Sequence, residues 1–315
     1  MTPLPTLRAA QLAAAPSGAS SWLIEGLWSA QAVGIIGGEP KCCKSFLALD
    51  LAVAVASGVP CLRRFPAAQR GPVLMFAAED DARVVRRRLE GIAAAAGVDF
   101  ESLDVHLIVV PALRLDRHDD RQALAATVVQ LQPKLLVLDP FVRLHCIDEN
   151  AAAEVAPLLA YLRHLQRDLH AAVALVHHAR KGAAHERGGQ ALRGSSEFHA
   201  WGDSNLYMRR SGGQLQLSIE HRAAPGQDWL PLALRDDPPV LEVVDQQTAP
   251  ARVQLSCRER IEKVLAEAQE PLSQKQIRNI VRMRTTDVSQ ALAALVADRG
   301  VIKSAAGYQL TGPLP

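Results

Sequence analysis

The segment spanning residues 32–58 constrains the fold more than any other. Ala32-Val33-Gly34-Ile35-Ile36-Gly37-Gly38 reads as a short apolar strand running into glycines, and an apolar helix follows over 45–56, closed by Ser57-Gly58, a usual C-terminal stop. Between them lies Gly38-Glu39-Pro40-Lys41-Cys42-Cys43-Lys44-Ser45, with Phe46 opening the helix. In a strand–turn–helix context such a loop wraps backbone N–H groups around phosphates, its lysine contacts the terminal phosphates and its hydroxyl ligates magnesium. Cys43 departs from the pattern GxxxxGK[ST], which has glycine at that position. A side chain there either forces a different backbone or crowds the ligand. The alternative is a redox or metal site at Cys42-Cys43. Against it, the five cysteines (Cys42, Cys43, Cys61, Cys146, Cys257) are scattered without a CxxC pair, so reduced thiols are expected.

The alternation continues along the chain. Strands are expected at 73–77, 105–110, 135–138 and 171–176, with helices at 82–96, 121–131 and 151–169. Continuous apolar strands separated by helices require a mostly parallel sheet covered on both faces, an α/β fold. Beyond Asp203 the segments 205–209, 214–219 and 230–234 alternate apolar with polar residues and read as antiparallel or edge strands finishing that sheet. Hydrophobic residues at 49% and charged residues at 22% exclude a disordered chain.

Two further strand ends carry acids. Leu135-Leu136-Val137-Leu138-Asp139-Pro140 delivers a carboxylate to the carboxyl edge of the sheet, where a Walker B aspartate holds magnesium through water. Val73–Ala77 runs into Ala78-Glu79-Asp80-Asp81, one of whose acids can orient and deprotonate an attacking water while Asp80 or Asp81 caps the next helix.

These residues support a family resemblance. The run Trp22-Leu23-Ile24-Glu25-Gly26-Leu27, the loop Gly38 to Ser45, Ala78-Glu79-Asp80, Leu138-Asp139-Pro140 and Val176-His177-His178 with Lys181 occur in the order seen in the RecA-like ATPases of the RepA-type hexameric replicative helicases, which this chain closely resembles over about residues 20–245. The resemblance implies ATP hydrolysis between neighbouring subunits of a hexameric ring around single-stranded DNA, with ATP and Mg2+ as cofactors. It makes Gly38, Glu39, Pro40, Lys41, Cys42, Cys43, Lys44, Ser45 and Phe46 the nucleotide loop, Ser45 and Asp139 the magnesium residues, Glu79 the general base and His178 the phosphate sensor, while His177 packs. Arg222 becomes the arginine finger reaching an adjacent subunit's ATP, with Arg209 or Arg210 as alternatives. The Gly-rich segment 180–196 carries Arg180, Lys181, Arg187 and Arg193 against one acid, a composition suited to tracking a sugar-phosphate backbone or to a solvated surface loop.

The end of the chain reads differently. Residues 251–315 hold ten Lys/Arg against six Asp/Glu, pointing to an acidic partner. Helices at 257–268, 273–280 and 286–298 precede a two-stranded segment turning near Ala306-Gly307, an order that resembles a winged helix-turn-helix domain. Arg278, Arg282, Arg284 and Lys303 would then touch phosphates of double-stranded DNA, with Thr285, Thr286 and Gln290 near base edges; docking of a protein partner is the alternative use. The expected organisation is a leader at 1–20, an ATPase domain at 21–245, a linker at 246–253 and this domain at 254–315. No stretch approaches the ~20 apolar residues of a membrane span and the first residues lack the form of a secretory signal, so a cytoplasmic protein without a membrane partner is expected. A recombination ATPase and a DNA-binding regulator with little hydrolysis are the competing functions.

Overall fold

A computed structural model of the chain describes residues 3–11, 21–178, 197–211, 213–244, 257–268, 270–281, 285–298, 300–304 and 306–311. It falls into two compact units, Met1–Gln246 and Gln247–Pro315. In the first, a hairpin of β1 (Trp22–Ile24) and β2 (Trp28–Ser29) leads into β3 (Val33–Gly38) and α1 (Lys44–Ser57). Then follow β4 (Val73–Ala77), α2 (Ala82–Ala95), β5 (Val105–Leu107), α3 (His118–Leu131), β6 (Leu135–Asp139), α4 (Ala152–Leu169), β7 (Ala172–His178) and α5 (Glu197–Trp201). The unit closes with β8 (Ser204–Ser211), β9 (Gln214–His221), β10 (Gln227–Asp236) and β11 (Pro239–Val243).

One nine-stranded sheet runs in the order β11-β10-β9-β8-β3-β7-β6-β4-β5. The strands from β8 to β5 pair in parallel, and β9, β10 and β11 extend the sheet antiparallel. Side chains alternate between two cores, as a strand buried on both faces requires. Leu135 and Val137 join α1 and α2 on one face, while Leu136 and Leu138 join α3 and α4 on the other. Two glycines let β3 lie close against β8: a Cβ at Gly34 would fall 1.6 Å from the Ser204 carbonyl oxygen, and one at Gly38 2.2 Å from that of Met208.

Four details differ from the sequence expectation. The strand around 205–209 is not at an edge: it is antiparallel to β9, as expected, but parallel to β3 on its other side. The strand at 105 ends at Leu107, because its pairing with β4 stops at Met75, and Val109 stands 83% exposed. The helix expected at 121 begins at His118, and β11 follows β10 where the sequence showed no separate strand.

The second unit comprises α6 (Cys257–Glu267), α7 (Gln274–Val281), α8 (Thr285–Ala297) and an antiparallel pair, β12 (Val301–Ser304) and β13 (Gly307–Leu310). Its core gathers Ile261, Leu265, Ile277, Val281, Val288, Leu292, Leu295 and Val301. Ser273 caps α7 reciprocally: its hydroxyl accepts from Gln276 N at 3.3 Å, and its own N–H donates to the Gln276 side chain at 2.8 Å. Residues 246–253, expected as a linker, lie outside the described residues. Among the described residues no helix is long and apolar enough to cross a membrane.

Candidate active site

Strand register explains why distant residues meet. Gly38 pairs with His178 across β3 and β7, Leu138 with Leu175 across β6 and β7, and Ala77 with Asp139 across β4 and β6. Each of these strands therefore ends at the same edge, and the side chains just beyond open into one cleft. Lys41, Cys42, Cys43, Lys44, Ser45 and Phe46 line it together with Glu79, Asp80, Arg88, Asp139 and His178.

The loop keeps the backbone of a glycine turn despite its side chains. Cys43, at the N-cap of α1, sits at φ 63 and ψ 28, and Lys41 at φ 65, both left-handed. For a residue with a Cβ this costs roughly 1–2 kcal/mol, so the departure at Cys43 appears as stored strain rather than as an altered turn. Burial raises both the Cys42 and the Cys43 thiols above their ordinary range, which keeps them protonated at neutral pH and argues against a redox or metal role. Among the described residues no cluster of His, Cys, Asp and Glu is arranged to hold a metal by itself.

Lys44 is buried, and its ammonium donates to the carbonyls of Gly38 at 2.9 Å and Glu39 at 2.8 Å. Burial lowers its pKa, opposed by Cys42, Asp139 and Glu79. Asp139 is also buried, and its carboxyl is pushed up to about 6, first by burial and further by Glu79 and Asp80, while a hydrogen bond from Ser45 and the charge of Lys44 pull the other way. Carboxylates thus crowd one wall of the cleft. A hard divalent cation would relieve such crowding, and the Ser45 hydroxyl and Asp139 carboxylate are oxygen donors of the kind magnesium takes.

The remaining acids divide as the sequence suggested. Asp81 caps α2, accepting from Arg83 N at 2.8 Å, and Asp80 pairs with Arg88. Glu79 stays at the cleft with Arg143 Nε at 3.6 Å. His177 packs, stacked on Phe198 at 4.3 Å. Arg88 and Arg143 were missed from sequence. Arg88 lies over the Phe46 ring at 4.7 Å, and of the run Arg86-Arg87-Arg88 it alone shares the helical face of Val85, Leu89 and Ile92, the signal that could have found it.

Other expected residues lie elsewhere. Arg222 sits at the amino edge of the sheet, paired with Asp203 at 3.4 Å and donating to the Ala200 carbonyl, so it does not reach this chain's own cleft. Arg209 lies over Trp229, 3.4 Å from the ring centroid, and Arg210 donates to the Gly213 carbonyl at 3.1 Å. Arg180, Lys181, Arg187, Arg193, Arg282 and Arg284 lie outside the described residues. In the second unit Arg278 donates to the Asn279 side chain at 3.1 Å, and Lys303 lies 5.7 Å from the Tyr308 ring.

Comparison with known proteins bears on the fold. The ATPase domain of G40P superposes with a TM-score of 0.54 at 12% identity, covering 68% of this chain and 85% of that one. A DnaB-like replicative helicase, solved to show its interactions with primase, gives 0.52 at 13% identity over 68% of this chain and 58% of its own. The RadB recombinase gives 0.50 at 16% identity over 69% and 92%. At such identities the likeness is one of fold, here RecA-like. A family model, the AAA domain, matches residues 2–184, which include the glycine loop, Glu79, Asp139 and His178. The chain belongs to the AAA domain family and has the fold of a RecA-like P-loop ATPase.

Proposed function

We propose that the protein is an ATP-hydrolysing, DNA-dependent motor that works as a ring-shaped oligomer, a hexamer of the RepA-type replicative helicase class serving a plasmid, phage or mobile element. The observation that carries this reading is the convergence of Lys44, Ser45, Glu79, Asp139 and His178, from four separate strand ends, on one cleft. Lys44 and the loop N–H groups would hold the phosphates. Ser45 and Asp139 would hold magnesium, which would supply positive charge against the phosphates. Glu79 would take a proton from the attacking water, and His178, two strands away, would sense the terminal phosphate. Arg222, at the opposite edge of the sheet, would serve a neighbouring subunit rather than its own and so would make hydrolysis depend on assembly.

The likeness to helicase and recombinase folds supports single-stranded DNA as the track, with Arg180, Lys181, Arg187 and Arg193 as its contacts. The second unit is proposed as a winged helix-turn-helix domain that meets double-stranded DNA through Arg278, Arg282, Arg284 and Lys303. One observation favours a protein partner as a second reading for that unit: the exposed positions Ser289, Gln290, Ala293, Ala294 and Ala297 of α8 include no cation. Two measurements test the motor. ATP turnover should be stimulated by single-stranded DNA and lost in Lys44→Ala, and the native mass should be that of six chains. Nucleotide binding without turnover would favour the regulator reading instead.

A further inference from the structure

The contact between Arg143 and Glu79 has a mechanical setting. Arg143 ends a single 3-10 turn, Phe141–Arg143, that begins directly after Asp139-Pro140. The turn is anchored by Phe141, which is fully buried and packs against His145 at 4.3 Å, Phe198 at 5.2 Å and His177 at 5.8 Å. His177 precedes His178 on β7, and Phe198 lies in α5, directly after the segment to which the proposed function assigns DNA contact. One buried ring cluster therefore joins the strand that carries His178, the helix that follows the DNA segment and the turn whose last residue faces Glu79.

We propose that Arg143 is a positioning residue that restrains the Glu79 carboxylate until the turn carrying it shifts, and that the rings of Phe141, His177 and Phe198 connect that turn to DNA engagement. The inference rests on the motor reading of the same cleft. A guanidinium 3.6 Å from the carboxylate holds it toward the turn and competes with the water that a general base must face. At 3.6 Å, with side chains 62% and 46% exposed, the pair is loose enough to be broken by a small displacement.

The test is steady-state ATP hydrolysis by the full chain, with and without an oligothymidylate. Arg143→Ala should raise the DNA-free kcat by about two- to five-fold, the range an exposed ion pair can supply. KM for ATP and the DNA-stimulated kcat should stay put, so the stimulation ratio falls by the same factor. Arg143→Lys, which keeps a cation there, should stay nearer the wild type. Phe198→Leu should lower stimulation while leaving the DNA-free rate unchanged. An unchanged DNA-free kcat in Arg143→Ala, or a parallel fall of both rates, would overturn the restraint while leaving the motor intact. A wild-type protein whose turnover ignores DNA would overturn the motor reading, and the restraint with it.

Discussion

At the amino edge of the large sheet Asp203 lies between two guanidiniums, those of Arg163 and Arg222, and also accepts from Val33 N at 3.3 Å. At the carboxyl edge Asp139 is buried beside Glu79 and Asp80, with Lys44 as its nearby cation. One edge has its charge neutralised by its own chain and pins the start of β3. At the other, Glu79 and Asp80 are paired with Arg143 and Arg88, and Asp139 is buried beside both carboxylates with Lys44 nearby. Both edges pair charge within the chain, but the carboxyl edge also crowds three carboxylates together, one of them buried, and a bound cation would relieve that crowding.

The sharpest contrast between the edges is chemical. Glu79→Gln should lower ATP turnover by about 10²- to 10⁴-fold while Mg-ATP binding, read by calorimetry, persists. Loss of binding together with turnover would move Glu79 out of the base role.

Next in size is the pH dependence of folding. Because the Asp139 carboxyl titrates near 6 in the folded chain, above its ordinary 3.8, its contribution to stability is fully present below about pH 4 and is lost as pH rises through 6. The loss amounts to at most about 3 kcal/mol. Equilibrium denaturation at pH 5 and pH 7.5 should show this trend, and Asp139→Asn should flatten it. The same ionisation has the opposite effect on ligand: Mg-dependent ATP binding should weaken as pH falls through 6.

At the amino edge, Arg163→Ala removes a partner of Asp203 and of the Trp201 carbonyl, and should cost about 2 kcal/mol of stability with kcat of the folded fraction unchanged. A drop in kcat there would mean that the two edges are not separable. The smallest effect concerns strain: Cys43→Gly should stabilise the chain by about 1 kcal/mol, whereas Cys43→Ser should not, since only glycine relieves the left-handed backbone.

Sequence carried most of the carboxyl edge, because each contributing residue stands at the end of a strong apolar run and parallel register aligns those ends. Lys44, Glu79, Asp139 and His178 were legible for that reason. Arg88 and Arg143 were not. Arg88 shares the helical face of Val85, Leu89 and Ile92, but a cation on that face carries no sign of the cleft beyond it, and Arg143 stands in a short turn with no periodicity at all. The amino-edge pairing of Asp203 was likewise hidden, since Arg163 and Asp203 are 40 residues apart and meet only through tertiary packing. The parallel direction of β8 escaped notice because its alternating pattern, half-exposed toward Ser211, resembles that of an antiparallel strand.

Calorimetric titration of Mg-ATP into the wild type and Lys44→Ala tests the central claim most directly. The account predicts uptake by the wild type at millimolar ATP or below, weakened in Lys44→Ala by roughly ten-fold or more, the worth of a charge-assisted contact to phosphate. A wild type that takes up no nucleotide, or a variant that binds as tightly, would contradict it.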